Sequence, residues 1–213
     1  MKKSSCPRSR PRCDEARVAP DGAVQMALKV GRRVARGANE GAPRLSKSRS
    51  LAGLQCKKQL WWRVREPEAP ELVPGEAQER VFTRGHQVGG ARARQYVPDS
   101  VLIDLPYFDS DGRVAATAKA LAGGARVVYE ASFLEDGVFV SVDILERRGD
   151  RLVLSEVKST VEVTEQHLSD VAIQRRVVRR AGLDARRAEA MHLNRECRCP
   201  ALSNLFVRAP VTR

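Results

Sequence analysis

The feature that most limits what this chain can fold into is the alternation across residues 138–160, VFVSVDILERRGDRLVLSEVKST. It reads as two short strands, Val138 to Leu145 and Arg151 to Lys158, joined by a turn around Gly149-Asp150. Side chains on a strand alternate between faces. Leu152, Leu154, Glu156 and Lys158 therefore share one face, and Val153, Ser155 and Val157 share the other. On the first strand Phe139, Ser141, Asp143 and Leu145 fall together. An Asp, a Glu and a Lys are thus expected among apolar neighbours, near the ends of two strands that pair.

Charge buried beside leucine is costly unless it is paired or binds a metal. Two carboxylates repel each other, and a divalent cation between them removes the repulsion. A lysine beside the cation can hold a water or an oxygen of the transition state, which completes the equipment for metal-assisted phosphodiester hydrolysis. The competing reading of the same residues is a solvated hairpin carrying a Glu/Lys pair.

The order of other segments adds a resemblance. Asp143, twelve intervening residues, and Glu156-x-Lys158 resemble the core motif of the PD-(D/E)XK nuclease superfamily. Leu45-Ser46-Lys47-Ser48-Arg49, Cys56-Lys57-Lys58-Gln59-Leu60-Trp61, Arg84-Gly85-His86-Gln87-Val88-Gly89 and Asp170-Val171-Ala172-Ile173-Gln174 stand in the order found in RecB-like nucleases. That set is similar to a bacterial group of RecB-like proteins filed as a domain of unknown function, relatives of CRISPR-associated RecB-like exonucleases. The resemblance covers residues 45–207. It implies a restriction-endonuclease-like α/β core and DNA, single-stranded or with free ends, as partner. It implies His86 as a metal ligand from an early helix, and Gln174 close to the site or the DNA strand. The glutamate that often follows such a histidine is Gln87 here. The tyrosine that often follows the glutamine is replaced by an arginine run, Arg175-Arg176 and then Arg179-Arg180. Arginines there suit phosphate contacts, or mark a decaying copy. Some relatives hold an iron–sulfur cluster with one N-terminal and three C-terminal cysteines. Here Cys56 is followed only by Cys197 and Cys199, short of the four thiolates such a cluster needs.

The net charge of +12 is uneven: residues 1–50 carry 13 Lys/Arg against 4 Asp/Glu, +9, which leaves +3 for the rest. The pI of about 10.1 is therefore weak evidence for nucleic-acid binding by the domain itself. Residues 1–44 are rich in Pro, Gly, Arg and Ser, lack aromatics and read as a disordered basic tail. The tail is a phosphate-touching arm, a solvated tail, or upstream sequence with Met26 as the true start. No apolar run long enough to span a membrane occurs, and the thiols lack paired spacing, which fits a cytoplasmic chain without a membrane partner.

Residues 45–65 read as one helix, capped by Ser46 or Ser48. Arg49, Lys57 and Lys58 lie on it beside Trp61 and Trp62, which either line a nucleic-acid groove or pack. A second helix is expected over 76–96 and a strand and turn over 97–108. Asp109-Ser110-Asp111-Gly112 suits an Asx-type turn better than a calcium loop. A short helix over 114–121 and a strand over 126–133 follow. Glu130 on that strand is either a support for the metal site or an edge carboxylate. A helix over 164–181, with Thr164 as cap, and a last strand over 187–193 complete the reading.

The expectation is an α/β domain over 45–207, a mixed sheet of about four to five strands flanked by helices, with a short tail over 208–213. The expected activity is Mg²⁺- or Mn²⁺-dependent DNA hydrolysis in repair or defence. Asp143 and Glu156, with His86 and the Val157 carbonyl, would hold the metal, and Lys158 would act on water or phosphate. Glu130 and Gln174 would support them; Arg49, Lys57, Lys58, Arg175 and Arg176 would contact nucleic acid. The alternatives are a module that binds DNA or protein without cleaving, and a truncated piece of a longer protein.

Overall fold

The computed structural model describes residues 44–88, 100–199 and 202–211, with the side chain of His86 outside that set. Of the tail expected over residues 1–44, all but Arg44 lies outside it too, Cys6 and Cys13 included.

The fold is built on one mixed sheet. A two-residue strand β1, Leu45–Ser46, leads into helices α1, Lys47–Gln55, and α2, Lys57–Arg65. Helix α3 spans Glu76–Gln87, strand β2 Ser100–Leu102 and helix α4 Ser110–Ala122. The long strands are β3, Val127–Glu135, β4, Val138–Arg148, and β5, Arg151–Lys158. Helix α5, Glu165–Arg180, and strands β6, Arg187–Leu193, and β7, Phe206–Pro210, follow. The order is β2-β3-β4-β5-β6-β7, with β1 added beside β4, so the sheet has seven strands among the described residues. That exceeds the four or five expected, because β1 is too short to show a period and β7 lies in the stretch partly read as tail; β2 falls within the strand and turn expected over 97–108.

β3, β4 and β5 form an antiparallel meander. Asp136-Gly137 joins the first pair, with φ of 51° and 74°, and both positive angles match a primed two-residue turn whose twist suits the flanking strands. Gly149, at φ 63°, opens the second turn, where the sequence placed it. The parallel pairs β2–β3 and β5–β6 need crossovers, and helices α4 and α5 supply them.

Both crossover helices cover the same face. Val171, Val177 and Val178 of α5 and Leu121 of α4 pack with Val128, Val140, Val142, Leu152 and Leu154. The opposite face carries Val127, Tyr129, Ile144, Val157 and Met191, against Val88, Leu102 and Phe206. The expected alternation on β5 therefore holds: the leucines face α5 and Val157 faces away.

Several helix boundaries differ from the sequence expectation. Residues 47–65 form two helices, because Cys56 is extended at φ −155° and ψ 116° and breaks the run. Ser46 caps α1, accepting from the Arg49 amide at 3.2 Å. Asp109 caps α4, accepting from the Gly112 amide at 2.9 Å, so the acidic turn is a helix cap. That helix begins four residues before the expected start. The Thr164 amide donates to His167 Nδ1 at 3.2 Å at the head of α5.

Leu154 is fully buried between β5 and α5. Leu154→Ala is expected to lower unfolding free energy by about 2–5 kcal/mol, read from the midpoint of a denaturant titration at unchanged slope.

Candidate active site

The site arises where the sheet forks. β4 and β5 pair from Arg148↔Arg151 to Ile144↔Ser155, and the pairing ends there. At its other end β4 takes β1 as neighbour, with Leu45 opposite Val138 and Ser46 opposite Phe139. The Leu45 amide donates to the Gly137 carbonyl at 2.8 Å. β5 meanwhile stays paired with β6 as far as Lys158↔His192. Between the parted strands the β5 backbone lacks its β4 partner. Asp143 answers that need: its Oδ2 accepts from the Val157 amide at 2.6 Å.

Glu156 and Lys158 sit past the fork, on the face toward α5. Glu156 is 3% exposed, and both its oxygens are engaged. Oε1 accepts from Lys47 Nζ and from Lys158 Nζ, each at 2.8 Å. Oε2 accepts from Gln174 Nε2 at 2.6 Å. Asp170, one helical turn before Gln174, takes the same partners. Its Oδ1 receives Gln174 Nε2 at 2.9 Å and pairs with Lys47 at 3.1 Å, and its Oδ2 pairs with Lys158. Two buried carboxylates and two lysines thus form a closed square, with the glutamine bridging the acids. Residues 170 and 174 share a helix face, so α5 presents both toward the fork.

Asp143 stands outside this compensation. Burial, then the nearby negative charge of Glu156, push its pKa well above the usual carboxylate range, against the pull of Lys47 and the Val157 amide. Glu156 is held below that range: burial opposes its charge, but Lys47 and Lys158 more than offset it. Burial likewise opposes both lysines, and the carboxylates around them nonetheless raise their pKa values. The neighbouring pair is thus driven apart, one acid ionised and one reluctant to ionise.

Glu130 lies across from Asp143, between the pairs Tyr129↔Ile144 and Ala131↔Val142, at a break in the ladder. Its φ of 57° is rare for a residue other than glycine. Arg113 of α4, 3% exposed, holds the distortion: its Nη2 lies 3.3 Å from Glu130 Oε2 and 3.1 Å from Ser141 Oγ, and its Nε donates to Ser132 Oγ at 3.1 Å. Thr117 Oγ1 accepts from the Ser132 amide at 2.9 Å. Glu130 is therefore neither an edge carboxylate nor a free ligand. It is an anchored acid whose charge adds to the pressure on Asp143.

The structure thus brings Asp143, Glu156, Val157, Lys158 and Gln174 together, with Glu130 beside them. Sequence reasoning missed Lys47 and Asp170 as members, although both stand inside segments it had singled out. Asp170 was detectable as the acid four residues before Gln174 on one helix; Lys47 had no local signal, because β1 must first pair with β4. The His86 side chain is outside the described set. Among the described residues, no group of three or more His, Cys, Asp or Glu is placed to hold one metal ion. Cys56, Cys197 and Cys199 form no disulfide among the described residues, and no group of three there is placed for one metal ion.

The donor set still suits one kind of ion. Mg²⁺ keeps several waters and commonly takes one or two carboxylates from the protein. Asp143 and Glu156 supply that pair as hard oxygens, and the buried Gln174 Oε1 beside them has no protein partner. Of the expected nucleic-acid contacts, Arg175 and Arg176 line a groove of about 660 Å³ along α5 with Leu168, Ala172, Arg179, Arg180 and Val211. Arg175 Nε also donates to the Ala185 carbonyl at 3.2 Å. Lys57 and Lys58 are exposed, the latter over the Trp62 ring at 4.7 Å, and the Arg49 guanidinium reaches the Arg44 carbonyl at 3.5 Å. No helix among the described residues is long and apolar enough to cross a membrane.

No protein-family model matches the chain, and no curated protein matches it significantly.

Asp143→Asn keeps an acceptor for the Val157 amide and removes the reluctant charge. Because burial raises the folded-state pKa of Asp143, its ionisation costs stability once pH exceeds the unfolded value of about 3.9. The variant is expected to be more stable than wild type at pH 8 by about 1 kcal/mol, with the gain shrinking toward pH 4. Denaturant unfolding at the two pH values measures it; a loss at pH 8 contradicts the assignment.

Proposed function

We propose that this chain is a metal-dependent nuclease that hydrolyses phosphodiester bonds in DNA, of the RecB-like kind within the PD-(D/E)XK superfamily. The observation that carries the reading is the fork: Asp143 from β4 and Glu156 and Lys158 from β5 lie together where two strands part, with Glu156 buried and the other two half-buried. Strand pairing supports the sequence motif here, since the three residues converge although twelve residues separate the first two.

A bound Mg²⁺ or Mn²⁺ would polarise the phosphate and lower the pKa of a water beside it. Asp143 and Glu156 would hold it, with the Val157 carbonyl and His86 as further candidate ligands. Lys158, held by Glu156 and Asp170, keeps its proton at neutral pH and presents a fixed positive charge to a water or to a phosphate oxygen. Gln174 fixes the Glu156 carboxylate through Oε2, which leaves the orientation of Oε1 set by the lysines. Arg175 and Arg176, in their groove on α5, supply phosphate contacts along a bound strand. A chain of this kind suits repair or defence against foreign DNA.

One observation favours a second reading, a module that binds DNA or protein without cleaving it. Both oxygens of Glu156 are already engaged by protein groups, so the square is complete without a metal.

The deciding experiment is a cleavage assay on labelled single- and double-stranded DNA with Mg²⁺, Mn²⁺ or EDTA. Metal-dependent cleavage that falls at least about 10²-fold in Lys158→Ala is expected. A folded wild type that cleaves nothing under any metal sinks the nuclease reading in favour of the second one. Removing the two groove arginines Arg176 and Arg179 is expected to weaken DNA binding without sequence preference. The slope of affinity against salt should then become shallower by about 1 for each phosphate that is no longer bound, measured by fluorescence anisotropy across a salt series.

A further inference from the structure

Lys47 is the one member of the square that arrives from outside the hairpin and its crossover helix. It is the first residue of α1, placed at the fork because β1 pairs with β4 directly before it. Its ammonium bridges Glu156 Oε1 at 2.8 Å and Asp170 Oδ1 at 3.1 Å, with a side chain only 21% exposed. Glu156 Oε1 therefore receives two ammonium groups, of which one is enough to hold it.

The two lysines are not equivalent. Both pair with Glu156 and Asp170, but Lys158 lies on β5 itself, two residues from Glu156, and moves with that strand. Lys47 stands at the head of a separate helix, on the side of the fork where Asp143 also acts on it. Glu156 Oε2 already holds the Gln174 amide, so a cation shared by Asp143 and Glu156 would need Oε1, where the Lys47 ammonium sits. Ammonium and metal ion compete for one carboxylate oxygen, and burial makes that competition strong.

Resting on the nuclease reading above, we propose that Lys47 is a built-in counter-ion, which occupies the place of the divalent cation in the metal-free chain and must withdraw before that cation binds. Its presence keeps Glu156 and Asp170 neutralised, so the fork stays folded without metal. Metal affinity is set lower than the carboxylates alone would give. Lys47 is thus a positioning residue for the metal and takes no part in bond cleavage.

The test is Mn²⁺ binding to the full chain by isothermal titration calorimetry, with no nucleic acid present. Lys47→Gln keeps a hydrogen-bond donor and removes the charge; it is expected to bind Mn²⁺ at least about ten-fold more tightly than wild type. Lys47→Arg keeps the charge and is expected to stay within about three-fold of wild type. Equal or weaker binding by folded Lys47→Gln, while wild type binds, overturns the proposal and leaves the nuclease reading standing. Absence of Mn²⁺ binding in wild type and Lys47→Gln alike sinks both. A second measurement dispenses with Lys47→Gln, should that variant not fold. The lysine ammonium resonance that vanishes in Lys47→Arg is followed by nitrogen-15 NMR as Mg²⁺ is added. Loss of its hydrogen-bonded signal at the Mg²⁺ concentration that saturates the site supports displacement, and an unchanged signal at saturation overturns it.

Discussion

The hydrogen bond from the Val157 amide to Asp143 is the contact on which the site depends. A sheet that forks must satisfy the backbone groups its strands no longer share, or lose the stability those groups cost when buried. Here the substitute acceptor is a carboxylate. One side chain thereby satisfies the β5 backbone and puts a negative charge at the fork. Everything else follows from accommodating that charge and its neighbour Glu156: two lysines, a glutamine, and a helix turned to present Asp170.

The surroundings divide the work between two polar clusters. The square of Lys47, Lys158, Glu156 and Asp170 is closed and fully paired. Behind it Arg113 gathers Glu130, Ser132 and Ser141 around a distorted point in β3. Between them Asp143 has one firm partner, the backbone amide, and acids on both sides. Buried polar groups that are fully satisfied fix a unique arrangement, whereas an incompletely matched one marks where a ligand gains most. Asp143 is that group, and in the proposed nuclease reading a bound cation would relieve it.

Much of this was legible in the sequence, for a specific reason. Glu156 and Lys158 follow two leucines at period two, and the structure places all four toward α5 as that period requires. Gln174 was readable on the buried side of a valine-rich helix. What could not be read were contacts made by register alone. Lys47 reaches Glu156 across 109 residues, and nothing within its own helix marks it as buried. Glu130 was ambiguous because its role depends on a left-handed backbone angle that no sequence period encodes. The Asp136-Gly137 turn, by contrast, was an available signal that the alternation of β3 and β4 overshadowed.

The pairing of β1 with β4 has a consequence for how the protein is made. The β3–β4–β5 meander and helix α5 use contacts between near neighbours in the chain, which close quickly. β1 must find β4 across roughly 90 residues, and loop closure of that length is slow. Lys47 arrives only with it. The hairpin and α5 bring Glu156, Lys158 and Asp170 together without β1, whereas the second lysine needs β1 docked. Wherever β1 is undocked, Lys158 alone is left to face Glu156 and Asp170, so the charge balance of the site is tied to the seating of a two-residue strand.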